Sequence, residues 1–319
     1  ARNWFLVLSL IVPVTAGMGL NFAIVLGGMA GQIGLILVTH WKTPGAGGLL
    51  LALAIALPIA VMLGASAGSV LNRARGREMI TSMILGFFVN GLYQLVFLFM
   101  VGAVIPLNNA ELLLPSGIGL RNTVEIKYAK AALDKLFRPV FGGVAVPVAP
   151  FILVAILCLA MRWLYKTKLG QDLRAVGQDM HVAAVAGIDV DRTRVVAMVL
   201  STVLAAAGQI IFLQNIGTIN TYNSHEQIGT FAIASLLVGG ASVARATVGN
   251  ALLGTLLFQL LFIVSPGAGQ RLMGSPQVGE YFRVFVAYGI IATALVLHAW
   301  ERSRAARDAG RAIKARASV

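Results

Sequence analysis

The sequence is poor in charge and in cysteine. Asp, Glu, Lys and Arg together make up 12% of its 319 residues, and Cys158 is its single cysteine. One cysteine excludes a disulfide framework or a zinc site built by this chain alone. Because Cys158 lies within an apolar run, we interpret it as a small residue buried in lipid or between helices. The chain also begins at Ala1 without a methionine, so we expect the natural N-terminus to be missing.

Motifs of several enzyme classes are absent as well. No G-x-x-x-x-G-K-[ST] loop occurs, so any energy from ATP would have to come from another subunit. Neither H-E-x-x-H nor G-x-S-x-G occurs, and the four histidines are scattered over separate regions of the chain. A membrane enzyme would need a cluster of His, Asp or Ser at the interface. We therefore predict a protein that is not an enzyme, with no catalytic residue, metal site or cofactor of its own.

Apolar residues dominate what is present. They account for 58% of the sequence, with a mean hydropathy of +0.85, against roughly 45 to 50% in soluble domains. Several runs approach the roughly 20 residues that a helix needs to cross a bilayer; they are residues 49–71, 80–105, 147–165 and 195–216. The pattern predicts an all-α, polytopic inner-membrane helical bundle over residues 1–300. We expect about 8 to 10 transmembrane segments, some of them broken or re-entrant.

The net charge of +13 is concentrated in short connections between the apolar runs. No basic stripe interleaved with aromatic residues is present, so no nucleic-acid partner is expected. Lysine and arginine favour the cytoplasmic side of membrane proteins. Placing the connections near Arg73, Arg174 and Arg245 and the basic tail, residues 301–319, in the cytoplasm accounts for most of the 25 basic residues. This predicts an external loop at about 105–146, a cytoplasmic loop at about 166–194 and a cytoplasmic tail on anionic lipid.

Two glycine-interrupted apolar segments resemble each other. Residues 19–36, GLNFAIVLGGMAGQIGLI, contain five glycines, and residues 229–242, GTFAIASLLVGGAS, repeat Phe-Ala-Ile followed by Gly-Gly. Paired segments of this kind indicate a transport pathway built from internal repeats. We expect helices to break or bend at the glycine pairs. The alternative is that these glycines allow close helix packing; the pairs are Gly27 with Gly28 and Gly239 with Gly240.

Amide side chains supply most of the polarity inside the predicted spans. Ionisable residues are scarce there, which speaks against a proton- or sodium-driven carrier. A neutral polar solute could pass along the amides and the aromatic residues near them. Each amide alone is more often a hydrogen bond between helices than a ligand contact. We predict that the translocation path is lined by Asn21, Gln32, Phe87, Asn90, Gly239 and Gly240.

Residues 166–194 form the longest polar interruption in the second half of the chain. Gly170, Gly177 and Gly187 divide it into short helical stretches. The middle stretch, residues 178–186, is too short to be a stable helix alone in water. We expect its small apolar residues to lean on the membrane domain or to sit in a groove of a partner protein. A membrane-surface helix without a partner is the alternative.

Within that interruption, LGQDLRAVGQDMHVAAVAGIDVDRTR closely resembles the cytoplasmic loop of permease subunits in ATP-binding-cassette importers for sugars, nucleosides and branched-chain amino acids. Downstream, VLSTVLAAAGQI and IASLLVGGASVARATVGNALLGTLL are similar to the same family. Upstream, GLNFA is similar to the amino-acid permeases of the group, and REMITSMILGFFVNGLY is similar to its nucleoside and purine branch.

The resemblance implies that residues 174–188 form a coupling helix region, which fits a cleft on an ATPase subunit and transmits its opening and closing. The coupling residues that it implies are Gly170, Arg174, Ala175, Val176, Gly177, Ala183, Ala184, Ala186, Gly187, Ile188 and Arg192.

The resemblance also implies partners and a mechanism. The partners are ATPase subunits that carry ATP and Mg²⁺, a second permease (identical or homologous), an external solute-binding protein, membrane lipid and a small-molecule solute. Two permeases would import a small polar solute, with a nucleoside or a sugar favoured, by alternating access across the bacterial inner membrane. Two other hypotheses stay open. One is an ion-coupled secondary transporter without an ATPase, and the other is a membrane scaffold or receptor, which would not need a coupling loop.

Overall fold

The computed structural model describes residues 2–107, 109–141, 144–145 and 147–317. Four residues of the predicted external loop, Asn108, Gly142, Gly143 and Val146, lie outside the described residues. Ser318 and Val319 of the predicted basic tail also lie outside them, as do the side chains of that tail other than Arg304. The role of the tail on lipid therefore stays a prediction.

Helices make up most of the described chain, which confirms the all-α prediction. They are α1 (Trp4–Ser9), α2 (Ile11–Thr15), α3 (Ile24–His40), α4 (Gly45–Arg73), α5 (Glu78–Leu95), α6 (Ala132–Leu136), α7 (Val148–Leu164), α8 (Lys168–Gln178), α9 (Met180–Val185), α10 (Val190–Ile216), α11 (Ser224–Val238), α12 (Val248–Met273) and α13 (Pro276–Ala317). A π-helical turn, Val96–Met100, extends α5. The strands are short: β1 (Thr123–Glu125), β2 (Val140–Phe141), β3 (Val144–Ala145) and β4 (Thr218–Asn220).

Among the described residues, five helices are long and apolar enough to cross a membrane. They are Gly45–Arg73, Glu78–Met100, Val190–Ile216, Val248–Met273 and Pro276–Leu297. A sixth span results if α7 and α8, which are bent by 73° at their break, count as one. Shorter apolar helices cover Trp4–Thr15 and Ile24–His40. The chain is thus a polytopic helical membrane protein, and the number of eight to ten segments stays a prediction.

The chain divides into two compact units, Ala1–Ala232 and Ile233–Val319. In the first unit α10 is central and packs chiefly against α4 and α3. Small residues make these approaches close: a Cβ at Gly64 of α4 would lie 2.8 Å from the Cα of Val199, and one at Gly68 would lie 2.9 Å from the Cα of Val195. Close helix packing through small residues is typical of membrane bundles, where lipid offers no hydrophobic drive for helix association.

The prediction that a helix breaks at Gly27 with Gly28 is wrong. Both residues lie inside the continuous helix α3, and the break lies before it, over residues 16–23. A Cβ at Gly27 would lie 2.5 Å from the carbonyl oxygen of Thr202 in α10, and one at Gly31 would lie 2.6 Å from that of Ala206. These glycines therefore serve close packing, the alternative that the sequence left open.

The predicted external loop is tied to the end of α10 by a small sheet. Strand β1 pairs antiparallel with β4, with Thr123 opposite Asn220 and Glu125 opposite Thr218. The sheet is extended by hydrogen bonds from the Ile126 amide to the Gly217 carbonyl at 2.9 Å and from the Thr221 amide to the Asn122 carbonyl at 2.8 Å. Because its partner strand follows α10 directly, the loop has a fixed attachment to the first unit.

The second unit contains the other glycine pair, and here the helix does end. Helix α11 stops at Val238, and Gly240 has a φ of +84°. That φ lies in the left-handed region, which glycine adopts without strain. The Asn250 side-chain amide donates to the Gly239 carbonyl at 2.8 Å, and the Thr247 side chain caps α12. Helices α12 and α13 then pack against each other.

Candidate coupling segment and polar cluster

The coupling segment, residues 168–188, is built from two capped helices. The Thr167 hydroxyl accepts a hydrogen bond from the Gly170 amide at the start of α8. The Asp179 carboxylate accepts from the amides of His181 at 2.8 Å and Val182 at 3.1 Å at the start of α9. Side-chain oxygens at such positions satisfy amides that have no partner within the helix. The segment thus has a defined shape despite its short helices.

Three of the predicted coupling residues are glycines: two of them allow a close backbone approach, and the third has a left-handed φ. A Cβ at Gly177 would overlap the carbonyl oxygen of Thr15, so α8 and the end of α2 meet backbone to backbone. A Cβ at Gly170 would overlap the Leu164 carbonyl oxygen, where the chain turns from α7 into α8. Gly187 has a φ of +84° with open space around it and ends α9.

The remaining predicted residues divide into an inward and an outward set. Val176 and Ala183 are buried and pack with Val190, and partly buried Ala175 and Ile188 pack against that cluster. Arg174 is exposed, with its guanidinium 5.0 Å from the centre of the Tyr165 ring. The other outward residues are Ala184, Ala186, Gly187 and Arg192.

The outward face of α9 is apolar. Val182 is 62% exposed and Val185 is 79% exposed. Beside it runs a groove of about 390 Å³, bordered by His181, Ala184 and Asp189 and by Arg75 from the connection between α4 and α5. Arg75 pairs with Asp191 at one side of this groove. An apolar helix face next to a groove with charges of both signs has the composition of a protein docking surface.

We expect Asp179→Ala to loosen α9, because both capped amides lose their acceptor. Amide hydrogen exchange over residues 181–185 should quicken roughly a few-fold. Asp179→Asn should leave that exchange near its original rate, since asparagine caps as well. The two backbone hydrogen bonds, from Val182 first and then His181, lower the pKa of Asp179 below its ordinary value. The cap is therefore fully present above that ordinary value and is lost as pH falls through the lowered pKa. Equal exchange in the Ala variant and the original chain would contradict this role.

A second cluster brings together two of the predicted path residues, Gln32 of α3 and Asn90 of α5. The histidine that joins them, His225 of α11, is 1% exposed. Its Nδ1 lies 2.6 Å from Gln32 Oε1, and its Nε2 lies 2.7 Å from Asn90 Oδ1. The Asn90 amide also donates to the carboxylate of Glu226. We call Gln32, Asn90, His225 and Glu226 the polar cluster.

The donors and acceptors of this cluster orient both amides toward His225. The Gln32 amide nitrogen donates to the carbonyls of Asn220 at 3.1 Å and Thr221 at 3.4 Å, so its oxygen faces His225 and Nδ1 must donate. The Asn90 amide nitrogen donates to the Glu226 carboxylate, so its oxygen faces Nε2 of the same ring. The imidazole thus lies between an amide of α3 and an amide of α5 and sets their spacing.

Polar atoms without partners border the cluster. The Tyr93 ring packs edge-on against His225 with their centres 5.0 Å apart, and the Tyr93 hydroxyl has no hydrogen-bond partner among the described residues. Both amide atoms of fully buried Gln209 are without a partner in the same set. Buried polar atoms of this kind cost free energy unless water or a ligand pairs with them. The cluster therefore has spare capacity for hydrogen bonds.

The other predicted path residues lie elsewhere. Asn21 is buried, with its amide 3.4 Å from the Ser201 hydroxyl and its oxygen accepting from the Ala23 amide at 2.9 Å. Phe87 is 63% exposed, on a face of α5 that is not covered by the first unit. Gly239 and Gly240 belong to the second unit. A place on the translocation path for Asn21, Phe87, Gly239 and Gly240 stays a prediction.

Sequence reasoning missed His225, Glu226, Glu78 and Arg194. The histidines appeared scattered, and Arg194 was interpreted as one of several cytoplasmic basic residues. In the structure Arg194 has no exposed surface and pairs with Glu78 at 2.7 Å. A local signal existed for Glu78 and Glu226, because an acidic residue in the first turn of a helix is favoured by the helix dipole.

The fold is that of a polytopic helical membrane protein, and comparison with known proteins gives its family. The chain belongs to the family described as the permease component of the branched-chain amino acid transport system, whose family model matches residues 4–295. This confirms the resemblance to permeases of ATP-binding-cassette importers. Together with the apolar helices, it makes the chain a multi-pass membrane protein.

Individual relatives match over shorter stretches. The Autoinducer 2 import system permease protein LsrC of Klebsiella pneumoniae is 35% identical over 127 residues, 40% of this chain and 35% of the relative. The Probable ABC transporter permease protein YphD of Escherichia coli is 30% identical over 159 residues, 49% of this chain and 45% of the relative. The Xylose transport system permease protein XylH of Haemophilus influenzae is 26% identical over 141 residues, 44% and 36% of the two chains. The chain thus spans less than half the length of each relative. No solved structure matches.

Proposed function

We propose that this chain is the membrane-spanning permease subunit of an ATP-driven importer in the bacterial inner membrane. The observation that carries the proposal is the coupling segment: two capped helices, fixed by backbone contacts at Gly177, present an exposed apolar face beside a groove. A structural scaffold would have no use for that arrangement. Family membership supports the same function.

The proposed mechanism is alternating access in a pair of permeases. A solute-binding protein docks on the external loop and releases the solute into a central path. ATP and Mg²⁺ bind on two partner ATPases, whose closure moves the coupling segments and tilts the helices. The nucleotide shifts the equilibrium only because it binds better to one state than to the other. We also propose that the C-terminus lies in the cytoplasm, where the coupling segment meets the ATPase.

The proposed solute is a small neutral molecule with several hydroxyl groups, a sugar or a nucleoside. Support comes from the amide and imidazole groups of the polar cluster, which both donate and accept, and from the unpaired atoms of Tyr93 and Gln209 beside it. Two relatives named for autoinducer 2 and xylose favour the sugar class. In this proposal Gln32 and Asn90 contact the solute hydroxyls, and His225 holds both amides in place.

An ion-coupled secondary transporter is the second candidate. The polar cluster favours it, because His225 and Glu226, which are joined through the Asn90 side chain, are two ionisable groups inside the membrane domain. Ionisable groups at such depth commonly mark proton pathways. The coupling segment remains unexplained by this alternative, so we rank it second.

The first test is to solubilise the chain from its native membrane in mild detergent and identify by mass spectrometry what is recovered with it. We expect an ATPase subunit in amounts comparable to the permease. Val185→Asp should lower that recovery by about tenfold or more, because a charge is placed on the exposed apolar face of α9.

Val140→Asp is the matched control, since Val140 is also exposed, at 67%, but lies in the predicted external loop. It should leave recovery unchanged. If the chain is recovered alone and still moves xylose or uridine into ATP-free vesicles along a proton gradient, the secondary transporter takes the place of the importer.

A further inference from the structure

One buried guanidinium joins three helices at the cytoplasmic end of the first unit. Arg194 belongs to α10 and is fully buried, and its Nη2 donates to Glu78 Oε1 at the start of α5 at 2.7 Å. Its Nη1 lies 2.9 Å from Sδ of Met180, the first residue of α9. The remaining nitrogen, Nε, has no hydrogen-bond partner among the described residues. Arg194 thus contacts the coupling segment on one side and α5 on the other.

We propose that Arg194 and Glu78 are positioning residues that hold α9 and α5 in a fixed relation, so that a displacement of the coupling segment is passed to α5. Helix α5 also carries Asn90 of the polar cluster. Asn90 lies three turns beyond Glu78, about 18 Å along the axis at 1.5 Å per residue. The purpose of the link in transport rests on the proposed function, whereas the link itself does not.

Stability alone is a weak reason for such a pair. Removing two charges from water offsets most of their attraction, so an apolar pair of the same volume stabilises a protein as well or better. What a buried pair does provide is specificity, because any arrangement that separates the two charges leaves both without a partner. The link therefore has a discrete closed state, which is what transmission between two rigid elements requires.

The neighbouring pair of Arg75 and Asp191 cannot form a link with a discrete closed state. Its side chains are 48% and 62% exposed, so water and salt can solvate each charge when the pair opens. Both charges of this exposed pair can separate at little cost. Glu78, by contrast, is 8% exposed and has no such replacement for Arg194.

The test is amide hydrogen exchange of the purified full chain in lipid nanodiscs, followed over α5 and over residues 180–188. Glu78→Gln keeps the shape of the side chain and removes its charge. We expect exchange to quicken by about tenfold or more both in the first turns of α5 and in α9, because the buried Arg194 loses its counter-charge. Glu111→Gln is the matched control: it breaks the exposed pair with Lys127 in the predicted external loop and should leave both regions within about twofold of the original rates.

Faster exchange in α5 with residues 180–188 unchanged would overturn the proposal, because the two elements would then not be linked. If Glu78→Gln does not fold, Arg194→Lys gives the same test. Lysine keeps the charge but cannot contact Met180 and Glu78 in the fork geometry of arginine. Amide exchange in the first turns of α5 and in residues 180–188 should therefore still quicken together, by a smaller factor than in Glu78→Gln. Quickening in α5 alone would overturn the link for this variant too.

A second readout belongs to the assembled importer. With the co-purified ATPase, Glu78→Gln should retain ATP hydrolysis while the number of solute molecules moved per ATP falls by about tenfold, which a purely structural loss would not produce. Failure to recover an ATPase would contradict the proposed function, whereas the link between α9 and α5 that amide exchange measures would be unaffected. Unchanged stoichiometry beside coupled exchange would instead show a link that transport does not use, and would overturn the transport role.

Discussion

Gly177→Val is expected to abolish ATP-driven uptake while the chain is still made and inserted. A Cβ at this position would overlap the carbonyl oxygen of Thr15 and lie 3.1 Å from the amide nitrogen of Gly17. Both are backbone atoms, so no side-chain rotation relieves the overlap. Overpacking of this kind costs about 1 to 3 kcal/mol or more. The cheapest relief is for the end of α8 to move away from α2, and this movement carries α9 with it.

The measurement is uptake of labelled solute into vesicles that contain the permease, its ATPase and its binding protein, together with the thermal unfolding temperature of the permease. We expect uptake to fall by about a hundredfold, which corresponds to roughly 3 kcal/mol. Gly177→Ala should show a smaller loss in the same direction.

Gly47→Ala is the matched control for this series. Gly47 also lies in a helix, α4, but nothing lies within 4 Å of a Cβ placed there. Alanine at such a site should be neutral or stabilise the helix by about 0.5 to 1 kcal/mol. Uptake by Gly177→Ala equal to uptake by Gly47→Ala would show that the contact of α8 with α2 does not matter to coupling.

Much of the coupling segment could be predicted from the sequence, because its signals are local. Asp179 and Asp189 mark where α9 and α10 begin, and Gly187 marks where α9 ends. The expected division at Gly170 and Gly177 is wrong, because both glycines lie inside α8 and serve close backbone contacts. The apolar patch of the middle stretch was also visible, although its two faces were not: Ala183 packs inward and Val185 points outward. That division depends on where Val176 and Val190 lie in three dimensions.

The glycine pair Gly27 with Gly28 shows where local reasoning fails. A Gly-Gly step favours either a helix break or a close approach by another helix, and the surrounding letters do not decide which. The deciding residues are Thr202 and Ala205 of α10, which lie far along the chain and occupy the space that side chains would need. At the second pair the outcome is the opposite: helix α11 ends before Gly239, and Gly240 adopts a left-handed φ.

The polar cluster and the buried ion pair could not be found for a related reason. His225 is 193 residues from Gln32 and 135 from Asn90, and Arg194 is 116 residues from Glu78. In the sequence, each of these residues is indistinguishable from an ordinary polar side chain. The amides Gln32 and Asn90 were identified because polarity inside an apolar run is costly, but the histidine that joins them lies before its own apolar run and gives no such signal.

Loss of His225 is expected to be the most damaging single change in the polar cluster. His225→Ala removes the ring nitrogens that lie against Gln32 Oε1 and Asn90 Oδ1 and leaves both amide oxygens without this buried neighbour. Each such atom costs about 1 to 3 kcal/mol, and the lost ring leaves a cavity beside Tyr93. We expect the unfolding temperature to drop by several degrees and uptake to fall by at least about tenfold.

His225→Gln separates the two roles of the ring. A glutamine amide can donate to one of the two oxygens but does not span both as the imidazole does, so stability should recover in part while uptake stays low if the spacing of Gln32 and Asn90 positions the solute. His40→Ala is the matched control, since His40 lies at the end of α3, partly exposed, and no polar partner of its side chain is seen among the described residues. If His225→Ala unfolds at the temperature of His40→Ala and takes up solute at the original rate, the cluster neither supports the fold nor lines the path, and the solute must pass along other residues.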